Sequence, residues 1–259
     1  DFADYGWDAD TYCHKIYAGK DLLSQKPVIV STWQSIYKLP KSWFEKFDVV
    51  IGDEAHQFKS KSLVSIMQKL YDTKYRYGFT GTLDGTQTHK WVLEGLFGSS
   101  YKIVDTRELQ EKGYLATLNI KILLLKHDPV KFDTYQDEIE HLISHKKRNN
   151  FIKNLAHDLK GNTLILYSRV ATHGEVLHSI INKSDRQVFF VHGGVDAEER
   201  ESVRAITEKE KNAIIIASFG TFSTGINIKN LHNVIFASPS KSRIRTLQSI
   251  GRVLRKSDS

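Results

Sequence analysis

Short apolar runs alternate along the chain with segments in which apolar residues recur at helical spacing. Within 61–71, for example, Leu63, Ile66 and Leu70 fall on one face of a predicted helix. The runs that predict strands are 27–32, 47–51, 75–79, 163–167, 188–191, 213–217 and 234–237. Because these runs lack polar alternation, they predict parallel strands that are buried on both faces by helices. The pattern therefore indicates an α/β protein.

A change of rhythm divides the chain. Between residues 101 and 127 the alternation stops, and the run LNIKILLLK at 118–126 predicts one long strand. A basic helical stretch follows, with HKKRNN at 145–150 in its middle. We therefore expect two α/β domains, 1–118 and 119–259, each with a mostly parallel sheet flanked by helices.

Composition adds a candidate partner to this picture. The chain has 37 Lys and Arg against 30 Asp and Glu, and its net charge of +7 favours a polyanion, nucleic acid above all. Its single cysteine, Cys13, excludes an internal disulfide and a multi-cysteine zinc site, and favours a reducing, intracellular compartment. No apolar run approaches the roughly 18–20 residues of a membrane span, so no membrane partner is expected.

Two acidic residues, Asp53 and Glu54, follow the second predicted strand in the sequence Asp-Glu-Ala-His. Carboxylates at the carboxyl end of a buried parallel strand lie where open α/β sheets bind ligands. There Asp53 is suited to hold Mg²⁺ through its water shell beside a nucleoside triphosphate. Glu54 is suited to orient and polarise the attacking water. A solvated turn is the alternative interpretation of the same pair.

Two further motifs carry candidate chemistry. TGT at 80–82 follows the third predicted strand, where its hydroxyls are placed to bond the acidic segment and to sense the nucleotide. Gln248, Arg252 and Arg255 recur at spacings of four and three, so a helix presents them on one face. Paired arginines suit bidentate binding of phosphate. The alternatives are an ordinary turn for the first motif and a basic surface helix for the second.

Taken in order, these motifs resemble those of the superfamily-two nucleic-acid helicases and translocases. DEAH at 53–56 resembles motif II, and TGT at 80–82 resembles motif III. The other matches are the TxQS motif in STWQS at 31–35, motif IV in LILYSR at 164–169, the loop after it in HGG at 192–194, motif V in SFGTFSTGINI at 218–228 and motif VI at 248–255. Their order and spacing match over nearly the whole chain, which is thereby identified as a member of this superfamily.

The resemblance implies two RecA-like domains that bind ATP and Mg²⁺, with nucleic acid lying across both. The residues implied to act in catalysis are Glu54, Gln248, Arg252 and Arg255. Those implied to contact the nucleotide, with Asp53 also reaching Mg²⁺ through water, are Asp53, His56, Thr80, Thr82, Gly225 and Asn227. Those implied to contact the nucleic-acid strand are Thr32, Gln34, Ser168, Arg169, His192, Gly193, Thr221 and Thr224.

The wording of motifs V and VI is similar to that of bacteriophage recombination and repair helicases. This similarity implies an ATP-dependent DNA helicase that acts on branched DNA and R-loops in recombination, repair and replication. Its partners would be single- and double-stranded DNA and RNA–DNA hybrids, and its location the cytoplasm of an infected bacterium.

One departure from the family is serious. The pattern G-x-x-x-x-G-K-[ST], whose backbone cradles phosphates, occurs nowhere in the 259 residues. Because family order places this loop before the motif at 31–35, we expect the first domain to be truncated at its N-terminus and this chain alone to be inactive.

Three alternatives stay open. The first is a double-stranded DNA translocase of the restriction-motor type. The second is a non-catalytic nucleic-acid-binding fragment whose motor motifs are relics, which the intact Glu54, Arg252 and Arg255 disfavour for the parent protein. The third is a metallohydrolase that uses Asp53, Glu54 and His56, although the eleven histidines show no ligand spacing.

Overall fold

The chain divides into two compact units, Asp1–Tyr101 and Lys102–Ser259. The computed structural model describes residues 5–17, 21–83, 85–183, 185–194, 202–203, 205–207, 209–225, 228 and 230–254. The division between the units precedes the expected boundary near 118, because the Ala116 N–H donates to the Leu254 carbonyl of the second unit at 2.8 Å. A boundary at 118 between the helicase domains themselves stays a prediction.

Parallel strand pairs form the framework of the first unit. Its described elements are α1 (Ala9–Tyr12), β1 (Cys13–Ile16), β2 (Val28–Ser31), α2 (Trp33–Ile36), α3 (Lys41–Phe44), β3 (Val49–Gly52), a 3-10 turn (Ala55–Gln57), α4 (Lys61–Lys69), β4 (Tyr75–Gly78) and α5 (Gln87–Phe97). Within the described residues, β1 pairs with β2 and β3 pairs with β4, each in a two-stranded parallel sheet. Both sheets therefore direct their carboxyl ends toward the loops that carry the predicted motifs.

The core of the first unit lies on one face of the β3–β4 sheet. The helical stripe predicted on α4 is buried there, and the cluster comprises Phe44, Phe58, Leu63, Ile66, Met67, Leu70 and Leu93. The opposite face is exposed, with Ile51 65% and Tyr77 50% accessible. The prediction that these strands are buried on both faces is therefore wrong for β3 and β4, because no described element covers that side.

The second unit contains a larger parallel sheet. Its described elements are α6 (Thr106–Glu111), α7 (Tyr135–Ser144), α8 (Lys146–Asp158), β5 (Thr163–Tyr167), a π-helical turn (Val170–Gly174), α9 (Glu175–Ile181), β6 (Val188–Val191), β7 (Ile214–Ser218), α10 (Phe219–Gly225), β8 (Asn233–Phe236) and α11 (Arg243–Val253). The strand order is β6-β7-β5-β8, and every pairing is parallel.

Both faces of this second sheet are covered. Ile165 and Tyr167 of β5 belong to one buried cluster, and Leu164 and Leu166 belong to the cluster on the other face. All five residues of β5 are buried. The two-faced burial predicted from unbroken apolar runs is therefore confirmed for the central strands of this unit.

Two expectations for the middle of the chain are wrong. The run 118–126 forms no strand, because none of the described strands lies beside its backbone, and its Ile122 and Leu124 are 82% and 87% exposed. The basic sequence 145–150 does not lie in the middle of one helix. Instead α7 ends before His145, whose Nδ1 accepts from the Arg148 N–H at 3.1 Å and caps α8.

Two smaller points concern composition. Cys13 is a buried free thiol on β1. In the part of the chain that the structure describes, no helix is long and apolar enough to cross a bilayer.

Candidate nucleotide and nucleic-acid sites

The acidic turn after β3 carries Asp53 and Glu54. A Cβ added at Gly52, where the strand ends, would lie 2.8 Å from the Phe58 ring, so this close packing requires glycine. The chain then turns through Glu54, whose φ of 49° and ψ of 48° lie in the left-handed region. Such backbone costs a non-glycine residue roughly 1–2 kcal/mol and is concentrated at functional sites. The Glu54 N–H donates to Asp53 Oδ1 at 2.8 Å and orients that carboxylate.

His56 connects the two motifs of the first unit. Its side chain is buried, and its Nδ1 lies 3.0 Å from Thr80 Oγ1 and 3.2 Å from Glu54 Oε2. The Thr80 hydroxyl donates to the Thr82 carbonyl at 2.9 Å. It therefore accepts from His56, which carries its proton on Nδ1. The structure thus brings Glu54, His56 and Thr80 together as the sequence predicts.

Burial lowers the pKa of His56, although the neighbouring Glu54 carboxylate acts in the opposite direction. At neutral pH the imidazole is therefore uncharged. It serves as a directional hydrogen-bond donor between the acidic turn and Thr80, and not as a cation.

Thr82 contacts the site through its backbone, whereas Thr80 does so through its hydroxyl. Its hydroxyl is buried and has no hydrogen-bond partner among the described residues. Its N–H donates to Thr80 Oγ1 at 3.3 Å, so it supports the site through its backbone. The expectation that both hydroxyls bond the acidic segment is therefore correct for Thr80 and wrong for Thr82.

Thr32 and Gln34 lie at the carboxyl end of β2. Thr32 precedes α2, its N–H donates to the Ile16 carbonyl at 3.4 Å, and its Oγ1 lies 2.9 Å from Ser35 Oγ. Both Thr32 and Gln34 are exposed. Their polar side chains are accessible to a phosphodiester strand, and that contact stays a prediction.

Ser168 and Arg169 follow β5 in the second unit. The Ser168 N–H donates to Ser238 Oγ at 3.1 Å. Arg169 Nη1 lies 3.2 Å from Glu140 Oε1 of α7, in a pair open to solvent. Exposed ion pairs contribute about 0–1 kcal/mol, so Arg169 can exchange this carboxylate for a phosphate at small cost.

The loop after β6 and the start of α10, which follows β7 directly, meet at the carboxyl end of the second sheet. A Cβ added at Gly193 would lie 4.0 Å from Thr221 Oγ1. The Thr221 N–H donates to Ser218 Oγ at 3.2 Å, and the two hydroxyl oxygens are 2.8 Å apart. His192 Nδ1 accepts from the Gly194 N–H at 3.1 Å. The structure therefore brings His192, Gly193 and Thr221, all predicted to contact nucleic acid, together at the carboxyl ends of the neighbouring β-strands β6 and β7.

Residues 248–253 of motif VI lie on α11, so the structure confirms the predicted helix for Gln248 and Arg252. The Arg252 guanidinium carbon lies 5.5 Å from the ring centroid of Phe222 on α10, a cation–π distance that joins motif VI to motif V. Gln248 lies one turn earlier on the same helix. The backbone of Thr224 and Gly225 belongs to α10. Asn227 and Arg255 lie outside the described residues.

Sequence reasoning missed four side chains that contact these residues. His89 Nε2 lies 2.9 Å from the His56 carbonyl, and Glu140 pairs with Arg169. His173 Nδ1 and the Ser168 N–H both meet the Ser238 hydroxyl. Ser238 follows β8, so the strand-end rule signals it. His89, Glu140 and His173 meet residues distant in sequence, and no local pattern marks them.

A nucleotide-bound Mg²⁺ fits only part of this site. Asp53 is exposed at the strand end, which suits an ion held through water by one or two carboxylates and by substrate phosphates. Across the described residues, no group of three or more His, Cys, Asp or Glu side chains is placed to hold a metal. The metallohydrolase alternative therefore has no ligand set there.

Matches to protein families define the class. Residues 146–257 match the helicase conserved C-terminal domain, and residues 1–85 match the family of the Type III restriction enzyme res subunit. The chain belongs to the superfamily-two helicases, and its fold is RecA-like α/β.

Individual relatives agree with this assignment. The chain is 37% identical over 99% of its length to the ATP-dependent DNA helicase UvsW of Enterobacteria phage T4, of which it covers 53%. It is 25% identical over 89% of its length to a putative ATP-dependent RNA helicase, L396, of Acanthamoeba polyphaga mimivirus, of which it covers 45%. The chain therefore spans about half the length of the curated relatives it matches.

A solved structure supports the fold. The fragment of a putative HsdR subunit of a type I restriction enzyme from Vibrio vulnificus YJ016 has a TM-score of 0.67 to this chain. The match is 17% identical in sequence and covers 96% of this chain and 48% of that one.

Proposed function

We propose that this chain is the motor portion of an ATP-dependent DNA helicase that acts on branched DNA and R-loops in recombination, repair and replication. The observation that carries the proposal is the bonded set of Glu54, His56 and Thr80 at the ends of two paired parallel strands. This set connects the Glu54 carboxylate to motif III through the His56 side chain, which supports a role for Glu54 in activating water. The similarity to phage recombination helicases in motifs V and VI favours branched substrates.

In this proposal each residue has a distinct task. Asp53 orients Mg²⁺ through water, and when bound the ion neutralises charge on the phosphates of ATP. Glu54 polarises the attacking water, and His56 relays the state of that site to Thr80. Arg252 of motif VI stabilises charge that develops on the transferred phosphoryl group.

In the first unit Thr32 contacts the phosphodiester strand, and in the second unit Ser168 and the hydroxyls and backbone near Thr221 do so. Because phosphate contacts are sequence-independent and release counterions, binding should weaken steeply with salt. We further propose a cytoplasmic location in an infected bacterium, which the phage T4 relative supports.

The test uses a form of the protein that also carries a phosphate-binding loop, which we call the loop-carrying form. ATP hydrolysis is measured alone and with single-stranded DNA, linear duplex, forked DNA and an RNA–DNA hybrid. We expect stimulation by nucleic acid, strongest for the fork and the hybrid. Hydrolysis that no nucleic acid stimulates would overturn the proposal.

Matched arginine variants on α11 test the chemistry. Arg252→Lys keeps the charge but loses the planar fork, and an arginine of this kind contributes about 10³–10⁵ in rate. Arg245→Lys is the control, because Arg245 also lies over an α10 ring, that of Phe219, but carries no proposed role. Similar rates for the two variants would make α11 an ordinary basic helix.

A second candidate is a double-stranded DNA translocase. The match of residues 1–85 to the res subunit family supports it. Displacement of a third strand from a triplex without unwinding of a fork would favour this candidate over the helicase. Binding of DNA without turnover would instead favour a non-catalytic fragment.

A further inference from the structure

His89 is a buried residue on α5 that meets the acidic turn. It is 5% exposed, and its Nε2 lies 2.9 Å from the His56 carbonyl. A carbonyl only accepts hydrogen bonds, so Nε2 carries a proton and donates it. The backbone of the turn is thus fixed by a side chain 33 positions away in the sequence.

The place of His89 in the chain connects it to motif III. The helix α5 begins a few residues after TGT at 80–82, and its N-cap Thr86 accepts from the His89 N–H at 3.4 Å. The segment 80–89 therefore contacts the acidic turn twice. Thr80 accepts from the His56 side chain, and His89 donates to the His56 backbone.

These two contacts fix both parts of His56, because one bonds its side chain and the other its backbone carbonyl. The His56 imidazole must stay within 3.2 Å of Glu54 and 3.0 Å of Thr80 to connect them. Rotation of the His56 peptide would move the imidazole and the Glu54 backbone together, because the Gln57 N–H also bonds the Glu54 carbonyl at 2.8 Å.

We propose that His89 is a positioning residue that fixes the acidic turn against motif III and thereby keeps Glu54 and His56 aligned for hydrolysis. The inference rests on the proposed ATP hydrolysis at this site. His89 acts through the His56 backbone and touches neither nucleotide nor nucleic acid in this role.

Two substitutions separate positioning from packing. His89→Gln retains an N–H donor of similar reach, whereas His89→Leu retains apolar volume and removes the donor. Steady-state hydrolysis is measured in the loop-carrying form with nucleic acid present. We expect kcat for His89→Leu to fall about 10- to 100-fold, the range for loss of an outer-shell partner around a metal-dependent site, with KM for ATP unchanged. His89→Gln should remain close to wild type.

The opposite pattern would overturn the inference. If His89→Leu turns over like wild type, the hydrogen bond is not needed. If it falls only in parallel with its melting temperature, or His89→Gln falls equally, the residue is a core filler.

A second measurement uses the 259-residue chain itself and does not depend on turnover. Hydrogen exchange is followed in the peptide covering 53–60, with the peptide covering 163–167 as an internal reference. We expect faster exchange in 53–60 for His89→Leu than for His89→Gln. Equal exchange in the two variants would show that the His89–His56 hydrogen bond does not hold the turn. If wild type shows no stimulated hydrolysis, the proposed function fails while this measurement still decides the structural role of His89.

Discussion

Adjacent carboxylates in the acidic turn have different surroundings. Asp53 is exposed and accepts a backbone N–H, whereas Glu54 is half-buried beside the neutral His56. The two surroundings therefore suit Asp53 to binding an ion and Glu54 to activating water. This difference supports a role for Glu54 in the reaction with water that Asp53 does not share.

Glu54→Gln should abolish most turnover and leave ATP binding intact, because the amide keeps the size of the side chain but cannot accept a proton. General-base removal typically costs about 10²–10⁴ in rate. Steady-state hydrolysis and nucleotide affinity in a loop-carrying form provide the measurement. The exposed Glu45→Gln serves as the control, and unchanged turnover in Glu54→Gln would remove Glu54 from catalysis.

His173 gives the second unit a predictable response to acid. Burial lowers its pKa to about 4, with a smaller contribution from the nearby Arg148 charge. An unfolded chain takes up this proton below pH about 6.5, whereas the folded chain does not until pH about 4. The contribution of the neutral His173 side chain to the free energy of unfolding is therefore complete above pH about 6.5. It decreases by about 3 kcal/mol as the pH falls from about 6.5 to about 4.

Urea unfolding between pH 7 and 4 checks this prediction. In His173→Gln the amide can still bond Ser238 but does not titrate in this range. We expect the free energy of unfolding to fall less with acid in the variant than in wild type. Identical slopes would show that His173 titrates equally in both states.

At the scale of elements, Gly78 determines how closely β4 packs behind the acidic turn. A Cβ there would lie 3.0 Å from the Ala55 Cβ and from the Phe97 ring. The end of β4 is thus pressed against the first residue of the 3-10 turn. Side-chain volume at this position would push the turn and the sheet apart.

Gly78→Ala should therefore destabilise the first unit by about 1–3 kcal/mol, as overpacking usually does. Gly95→Ala is the control, because a Cβ there meets nothing within 4 Å and alanine favours a helix interior. Urea unfolding of both variants gives the comparison. A Gly78→Ala midpoint at or above that of Gly95→Ala would contradict the packing argument.

Elements also show what a sequence pattern can and cannot predict. Apolar runs identify β5 and β6 with the bounds that the structure has, since both pair with β7 in the four-stranded sheet. The equally apolar run 118–126 forms no strand, because hydrophobicity reports a preference for burial but not the presence of a partner strand. The tie between His89 and the His56 carbonyl depends on tertiary proximity, which no local spacing encodes.

At the scale of the whole molecule, the 259 residues contain part of the motor chemistry. Carboxylates, motif III and motif VI are present, but no G-x-x-x-x-G-K-[ST] occurs. In motors of this kind, the backbone of that loop and its Lys cradle the phosphates. Without a cradle, the charge of ATP would meet Asp53 and Glu54 with little compensation.

We therefore expect this chain alone to bind nucleic acid but to hydrolyse ATP at no useful rate. Calorimetric titration with a non-hydrolysable ATP analogue and Mg²⁺ is the measurement, with a labelled DNA fork as the binding control. Micromolar nucleotide binding together with DNA-stimulated hydrolysis would mean that another segment supplies the phosphate cradle.

The left-handed backbone of Glu54 has a consequence for protein engineering. Glycine adopts that conformation without the steric cost that an L-residue bears. Glu54→Gly should therefore raise the melting temperature of the first unit while eliminating turnover, a trade between stability and activity at one residue. Glu54→Ala is the reference, since it also lacks the carboxylate but keeps the Cβ. Differential scanning calorimetry should place the glycine variant above the alanine variant, and the reverse order would show that this turn carries no strain.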